Sequence, residues 1–472
     1  MTHVWVYKDK NDKWVVFNQA DQQVLNKAES TPVPVLGGRS DAHVPERFIR
    51  TVYDSEPSEM KIQRATWFSD DQPFSEADAD RISEWTAQES SQSTPLMLGD
   101  RKIYKSAEGV VLMAGQSILS VSRALVHVTD PVWAVPPVGL DDPAIACTHL
   151  IISVHGIGES LWSRKAFNLQ PFENNCKMLR THVNELSGSG GRTEVLHVNW
   201  FHILAGSVYT KRIADITLPT IPVFRQIANE AIADVIFYLN AEHRESIVSH
   251  VAGRIVDIVL QFKARNPSFN NKVSLAGHSL GSVICYDVLA LKKITPEIHF
   301  ENLFLMGSPL GMFLTARGAS DVLPLPQCRK VFNVIQPNDP VAYRIEPFLV
   351  PVMKTTEAAM LPYHKTGGLA TTTQVRHTAS SLIGLFSNDK DTTYMERITQ
   401  VVKGPMAPKP ESPLGIGLAL IEKLNAGQRI DWIVQHGFMP GATEYADALT
   451  AHVNYFDHKD IAKFIHEHTR IV

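Results

Sequence analysis

The chain has 472 residues, of which 44% are hydrophobic and 20% charged, the composition of a soluble globular protein with room for a sizeable core. Its 45 basic and 49 acidic residues leave a formal charge of −4, which argues against a nucleic-acid partner. Four cysteines (Cys147, Cys176, Cys285 and Cys328) stand far apart with no C-x-x-C spacing, so neither a zinc site nor a disulfide framework is expected.

The start of the chain, MTHVWVYKDKNDK, lacks the form of a signal peptide, and no apolar run is long enough to cross a bilayer. The expectation is a cytoplasmic protein. Two early stretches look alike. Val4-Trp5-Val6-Tyr7, a polar turn and Trp14-Val15-Val16-Phe17 lead into a polar helical run; Ala65-Thr66-Trp67-Phe68, a turn and Pro73-Phe74-Ser75 lead into another. This similarity predicts a duplicated α+β module over residues 1–130, which either binds something or is a structural extension. Residues 131–148 are proline-rich and read as a linker.

From residue 149 onward the pattern changes. His149–Val154 is a short continuous apolar run, and similar runs recur at Val195–Trp200, Val273–Ala276, Leu303–Met306, Val331–Ile335 and Ile430–Val434. Helical stretches lie between several of them, including 224–239 and 245–265. The alternation predicts a doubly wound α/β domain over 149–472, with a mostly parallel sheet. Residues 353–429 break the rhythm and read as an insertion before the last core strand.

The chemistry is concentrated around Val273-Ser274-Leu275-Ala276-Gly277-His278-Ser279-Leu280-Gly281-Ser282. Here G-x-S-x-G lies between an apolar strand and an apolar-periodic helix, the context in which that motif makes a nucleophile elbow. Ser279 is the expected nucleophile, and the architecture is that of an α/β-hydrolase. A serine hydroxyl needs a base oriented by an acid. Asp339, in the loop after Val331–Ile335, is the acid candidate. For the base, pattern alone slightly favours His436, directly after the last strand, over His452. The backbone amides of Leu280 and of the Gly156–Ile157 turn are the oxyanion candidates. His278, beside the nucleophile, is a supporting candidate.

At these residues the sequence resembles the DDHD-domain family, intracellular phospholipases A1 that prefer phosphatidic acid. The resemblance rests on His155-Gly156-Ile157-Gly158, Val198-Asn199-Trp200, the elbow, Gly307-Ser308-Pro309-Leu310-Gly311, Asn338-Asp339-Pro340-Val341-Ala342-Tyr343-Arg344 and Arg429-Ile430-Asp431-Trp432. The N-terminal aromatic pieces resemble a WWE-like region. The family's aspartates and histidine fall at Asp339, Asp431, His452 and Asp460. The resemblance therefore implies His452 as base, with Asp431 and Asp460 supporting, and hydrolysis of the sn-1 ester of a glycerophospholipid at a membrane surface. No cofactor is expected; a divalent metal held by Asp339, Asp431, His452 and Asp460 is the alternative. Arg344 reads either as a contact for a lipid phosphate or as a structural ion pair with Glu346 or Asp431. An esterase or thioesterase on soluble substrates, and a membrane-trafficking scaffold, are the competing functions.

Overall fold

A computed structural model describes residues 3–29, 32–69, 72–88, 94–106, 109–114, 117–123, 145–157, 172–187, 191–203, 208–221, 225, 229, 234–319, 324–365, 412–435 and 451–470. The chain divides into two compact units, Met1–Ile145 and Ala146–Val472, with the boundary inside the proline-rich stretch.

The first unit holds two antiparallel six-stranded sheets of the same plan. In one, β1 (Val4–Lys8), β2 (Trp14–Val16), helix α1 (Gln19–Lys27), β3 (Val33–Val35), β4 (Ser40–His43), β5 (Phe48–Thr51) and β6 (Glu59–Ala65) give the order β2-β1-β6-β5-β4-β3. The other comprises β7 (Trp67–Ser69), β8 (Gln72–Pro73), α2 (Glu76–Thr86), β9 (Leu96–Leu98), β10 (Arg101–Ser106), β11 (Gly109–Ala114) and β12 (Ser117–Arg123). Its order, β8-β7-β12-β11-β10-β9, repeats the first. Each helix follows the second strand and starts at a polar cap, Asn18 or Ser75, whose side chain accepts an amide of the first turn. One apolar face per module packs around Trp5, Phe17, Leu25 and Ile62, or around Trp67, Phe74, Ile82 and Ile103. The sequence boundary needs one correction. Ala65 pairs with Val4 and ends the first module, and the second begins at Trp67.

The second unit is built on a seven-stranded sheet. Its elements are β13 (Cys147–Val154), α3 (Phe172–Glu185), β14 (Arg192–Val198), α4 (Val208–Ile216), α5 (Ala241–Arg265), β15 (Val273–His278), α6 (Leu280–Ala290), β16 (Phe300–Met306) and α7 (Leu310–Arg317). There follow β17 (Cys328–Ile335), α8 (Glu346–Leu349), β18 (Ala359–Met360), α9 (Pro413–Leu424), β19 (Asp431–Ile433) and α10 (Lys459–Thr469). The order is β14-β13-β15-β16-β17-β19-β18, and every pairing is parallel. The unbroken apolar runs follow from this, since a strand covered on both faces has no solvent side; Leu150, Ile151, Ile152 and Val154 are all fully buried. Parallel pairing also puts every strand's carboxyl end on one rim, where α/β sheets place their sites.

The stretch 353–429 is not wholly an insertion outside the sheet. Ala359–Met360 forms the edge strand beside β19, so the strand 430–434 is flanked rather than terminal. Residues 366–411, including the apolar Leu382–Phe386, lie outside the described residues. All four cysteines are free. Among the described residues, no helix is long and apolar enough to cross a membrane.

Candidate active site

Strand β15 ends in Gly277-His278, and α6 starts at Leu280. Between them Ser279 takes φ +53° and ψ −128°, a backbone region that side-chain-bearing residues rarely occupy. The Ser279 amide donates to Met306 O (2.9 Å), and its carbonyl accepts from the Ser282 amide (3.0 Å). The crossing is too tight for side chains. A Cβ on Gly281 would sit 2.2 Å from Val154 O, and one on Gly277 would sit 2.3 Å from Ser282 Cα.

His452 lies in the helical residues 451–453, ahead of α10. Its Nε2 is 3.1 Å from Ser279 Oγ, and its Nδ1 is 3.0 Å from each Asp339 oxygen. These partners assign the proton to Nδ1, leaving Nε2 to accept from the serine hydroxyl. Asp339 follows β17 in a turn, where Oδ1 accepts the Val341 amide (2.8 Å) and Oδ2 accepts the Tyr455 hydroxyl (2.7 Å). Tyr455 in turn accepts the Gln336 amide at 2.9 Å. Burial alone would raise the Asp339 carboxyl. The bonds from His452 first, then from Tyr455 and Val341, outweigh it and hold the group below its ordinary value, so it stays ionised.

His278 packs beside His452, with ring centroids 5.0 Å apart. Its Nε2–H donates to the backbone oxygen of His452 at 2.7 Å. Burial, reinforced by the neighbouring His452, pushes its pKa down to about 3, so it remains a neutral donor. Gly156 abuts Ser279: a Cβ there would stand 2.7 Å from Ser279 Cβ and 3.2 Å from its Oγ. The flanking His155 is locked by stacking on Trp200 (5.1 Å between centroids) and by accepting the Trp200 amide at Nε2 (3.1 Å). Gly156 therefore lies against the serine, and the Leu280 amide, which opens α6, has no partner earlier in that helix.

The other family aspartates lie elsewhere. Asp431 accepts from Asn333 Nδ2 (2.9 Å), the amides of Ile345 (3.0 Å) and Glu346 (3.1 Å), and Arg344 Nε (3.1 Å). Asp460 accepts the amide and Nδ1 of His364, both at 2.7 Å. None of these bonds reaches Ser279, Asp339 or His452. Asp431 braces the far end of the loop that starts at Asp339, and Asp460 ties residue 364 to α10. The alternative of one four-residue metal site does not fit this arrangement. Among the described residues, no group of three or more His, Cys, Asp or Glu is placed to hold an ion.

Arg344 is taken up in the ion pair weighed for it. Besides Asp431 it donates to Thr356 O (2.6 Å) and Met353 O (3.3 Å) and lies 3.5 Å from Glu346, which Arg429 also grips. A phosphate would have to compete with those partners. His436 lies outside the described residues. Tyr455, three residues after His452, does not stand out in the sequence.

A parallel α/β sheet carrying a serine elbow, an imidazole and an ionised carboxylate on its carboxyl rim defines a hydrolase as a class. A family model described as the DDHD domain matches residues 297–412 and 417–469. The chain is 25% identical to the triacylglycerol hydrolase DDHD2 of Mus musculus, over 97% of this chain and 91% of that protein. It is 32% identical to the intracellular phospholipase A1 of Caenorhabditis elegans, over 45% of this chain and 32% of that protein. With the SEC23-interacting protein of Mus musculus it shares 30% identity, over 59% of this chain and 31% of that protein. Residues 297–412 and 417–469 of this chain thus match the DDHD domain.

Proposed function

We propose that this protein is a lipid hydrolase, a phospholipase A1 that cleaves the sn-1 acyl ester of glycerophospholipids by a Ser279–His452–Asp339 triad. The observation that carries the proposal is the unbroken chain of contacts from Ser279 Oγ to His452 Nε2 and from Nδ1 to Asp339. Ser279 Oγ attacks the ester carbonyl and its proton passes to His452, whose positive charge Asp339 balances. The amides of Leu280 and the Gly156–Ile157 turn donate to the oxyanion, and loss of one such donor costs about 3 kcal/mol in the barrier. His452 then protonates the leaving alcohol. Water, deprotonated by the same imidazole, finally releases the fatty acid. The phospholipase names among the relatives support a lipid ester over a soluble one.

A preference for phosphatidic acid is the finer part of the proposal. A neutral acylglycerol is the second reading. It is favoured by the commitment of Arg344 to Asp431 and Glu346, and by the name of a relative that aligns with nearly the whole chain. The test is fatty-acid release from vesicles of phosphatidic acid or phosphatidylcholine and from triacylglycerol emulsions, with a chelator arm. Ser279→Ala should abolish release and labelling by a fluorophosphonate probe. Labelling of Ser279 with no release from any of these lipids would move the substrate to a soluble ester. Undiminished release by Ser279→Ala would overturn the triad.

A further inference from the structure

Two hydroxyls close to Ser279 take no part in the triad. Ser282, in the first turn of α6, and Ser308, in the turn after β16, are both fully buried. Ser282 Oγ donates to Ser279 O and lies 2.6 Å from Ser308 Oγ. Ser308 is itself fixed: its Oγ accepts the Leu310 amide at 3.2 Å, and its carbonyl accepts the Tyr343 amide at 2.9 Å. The residues after Ser282 in α6, Val283, Ile284 and Cys285, are apolar and fully buried, and a hydroxyl in such a place costs free energy unless it is paired. The helical turn closes without it, because the Ser282 amide already donates to Ser279 O at 3.0 Å.

The carbonyl that Ser282 meets is the other end of the peptide that carries the Leu280 amide. A trans peptide is planar, with its C=O and N–H pointing opposite ways, so whatever aims the Ser279 carbonyl also aims the Leu280 N–H. The torsion that turns this plane is ψ of Ser279, held at −128° in a sparsely populated region. An amide and a hydroxyl on the same oxygen oppose its relaxation, and by polarising the peptide they strengthen its N–H as a donor. The Gly156–Ile157 peptide has the same arrangement, since its carbonyl accepts His155 Nδ1–H at 2.8 Å. Both candidate oxyanion donors therefore belong to peptides whose carbonyl ends are gripped by a buried side chain.

We propose that Ser282 is a positioning residue for ester hydrolysis: its hydroxyl, seated against Ser308, aims the Leu280 amide at the oxyanion. The proposal rests on Ser279 acting as the nucleophile.

The experiment compares wild type with Ser282→Ala and with Ser282→Cys, which fills the site but donates weakly. On a short-chain ester each variant should lower kcat by about tenfold at unchanged KM, less than the roughly 10²- to 10³-fold that loss of a whole oxyanion donor brings. A trifluoromethyl ketone, whose adduct with Ser279 carries the oxyanion, should lose affinity by the same factor. The acid limb of the pH–rate profile, which reads His452, should stay in place. A hydroxyl that only packs the elbow would not weaken turnover and ketone binding together while leaving KM and that limb unmoved. Unchanged kcat and ketone affinity, or losses accompanied by a displaced acid limb, would overturn the proposal; if Ser282→Ala folds poorly, Ser282→Cys decides. Full activity of the variants with fluorophosphonate labelling of Ser279 overturns this inference alone. A wild type that is neither labelled nor active removes the triad and the inference with it.

Discussion

Ser279 holds a backbone conformation that costs of the order of 1–3 kcal/mol, and the bonds to Met306 O and from the Ser282 amide maintain it. The motif reveals this much, because two glycines around a serine make sense only where neighbours approach closely. The position of Asp339 was also legible, from its place after a strand. Tyr455 was not, since the carboxylate it serves lies 116 residues earlier and no local spacing announces such a pair. Asp339→Asn should leave the protein folded but lower kcat on a short-chain ester by about 10³- to 10⁴-fold, since a neutral amide neither selects the tautomer nor balances the imidazolium. Tyr455→Phe removes one of the hydrogen bonds holding the carboxylate and should cost about tenfold in kcat, the worth of a single hydrogen bond to a charged group. A Tyr455→Phe enzyme of unchanged kcat would reduce that hydroxyl to a packing role.

The loop leaving β17 is fixed at both ends, by Asp339 near the site and by Asp431 on the neighbouring strand β19. Asp431 is fully buried and gathers two backbone amides, an asparagine and an arginine. Asp431→Ala would leave those donors unpaired beside the Glu346 carboxylate and should destabilise the protein by about 3–5 kcal/mol, measured as a lowered urea midpoint. Arg344→Ala should also lower that midpoint while leaving the ratio of phosphatidic acid to phosphatidylcholine turnover unchanged. A changed ratio would restore the phosphate contact. At this scale the long strands were readable because both faces are covered and their apolar runs are continuous. The edge strand Ala359–Met360 was not, since two residues carry no period. Asp431 and Asp460 stood out through family resemblance, but only the fold shows that their partners are loop amides and His364.

Across the whole molecule, the duplication of the first unit was legible in its repeated aromatic positions, and the parallel sheet in the alternation of apolar runs. Which histidine meets the serine was not legible from pattern, because that depends on how the last helix returns over the rim. Buried neutral histidines give the molecule a pH signature. Burial lowers both His278 and His149 from 6.5 to about 3. Below pH 6.5 the unfolded chain takes up protons at these positions while the folded chain does not. Stability is therefore fullest above 6.5 and falls as pH drops toward 3, by about 1.4 kcal/mol per pH unit for each histidine. His149→Gln should flatten the dependence of the urea midpoint on pH across that window; an unaltered slope would mean that His149 titrates normally in the fold.

The contact between Ser279 and His452 joins residues 173 apart, and β19, delivered late, must settle between β17 and an edge strand made earlier. During synthesis Ser279 thus exists for a time without His452. At roughly 5–20 residues per second, about 9–35 s separate the two. On the ribosome Ser279 therefore waits for His452, and the order of the two along the polypeptide sets how late their contact can form.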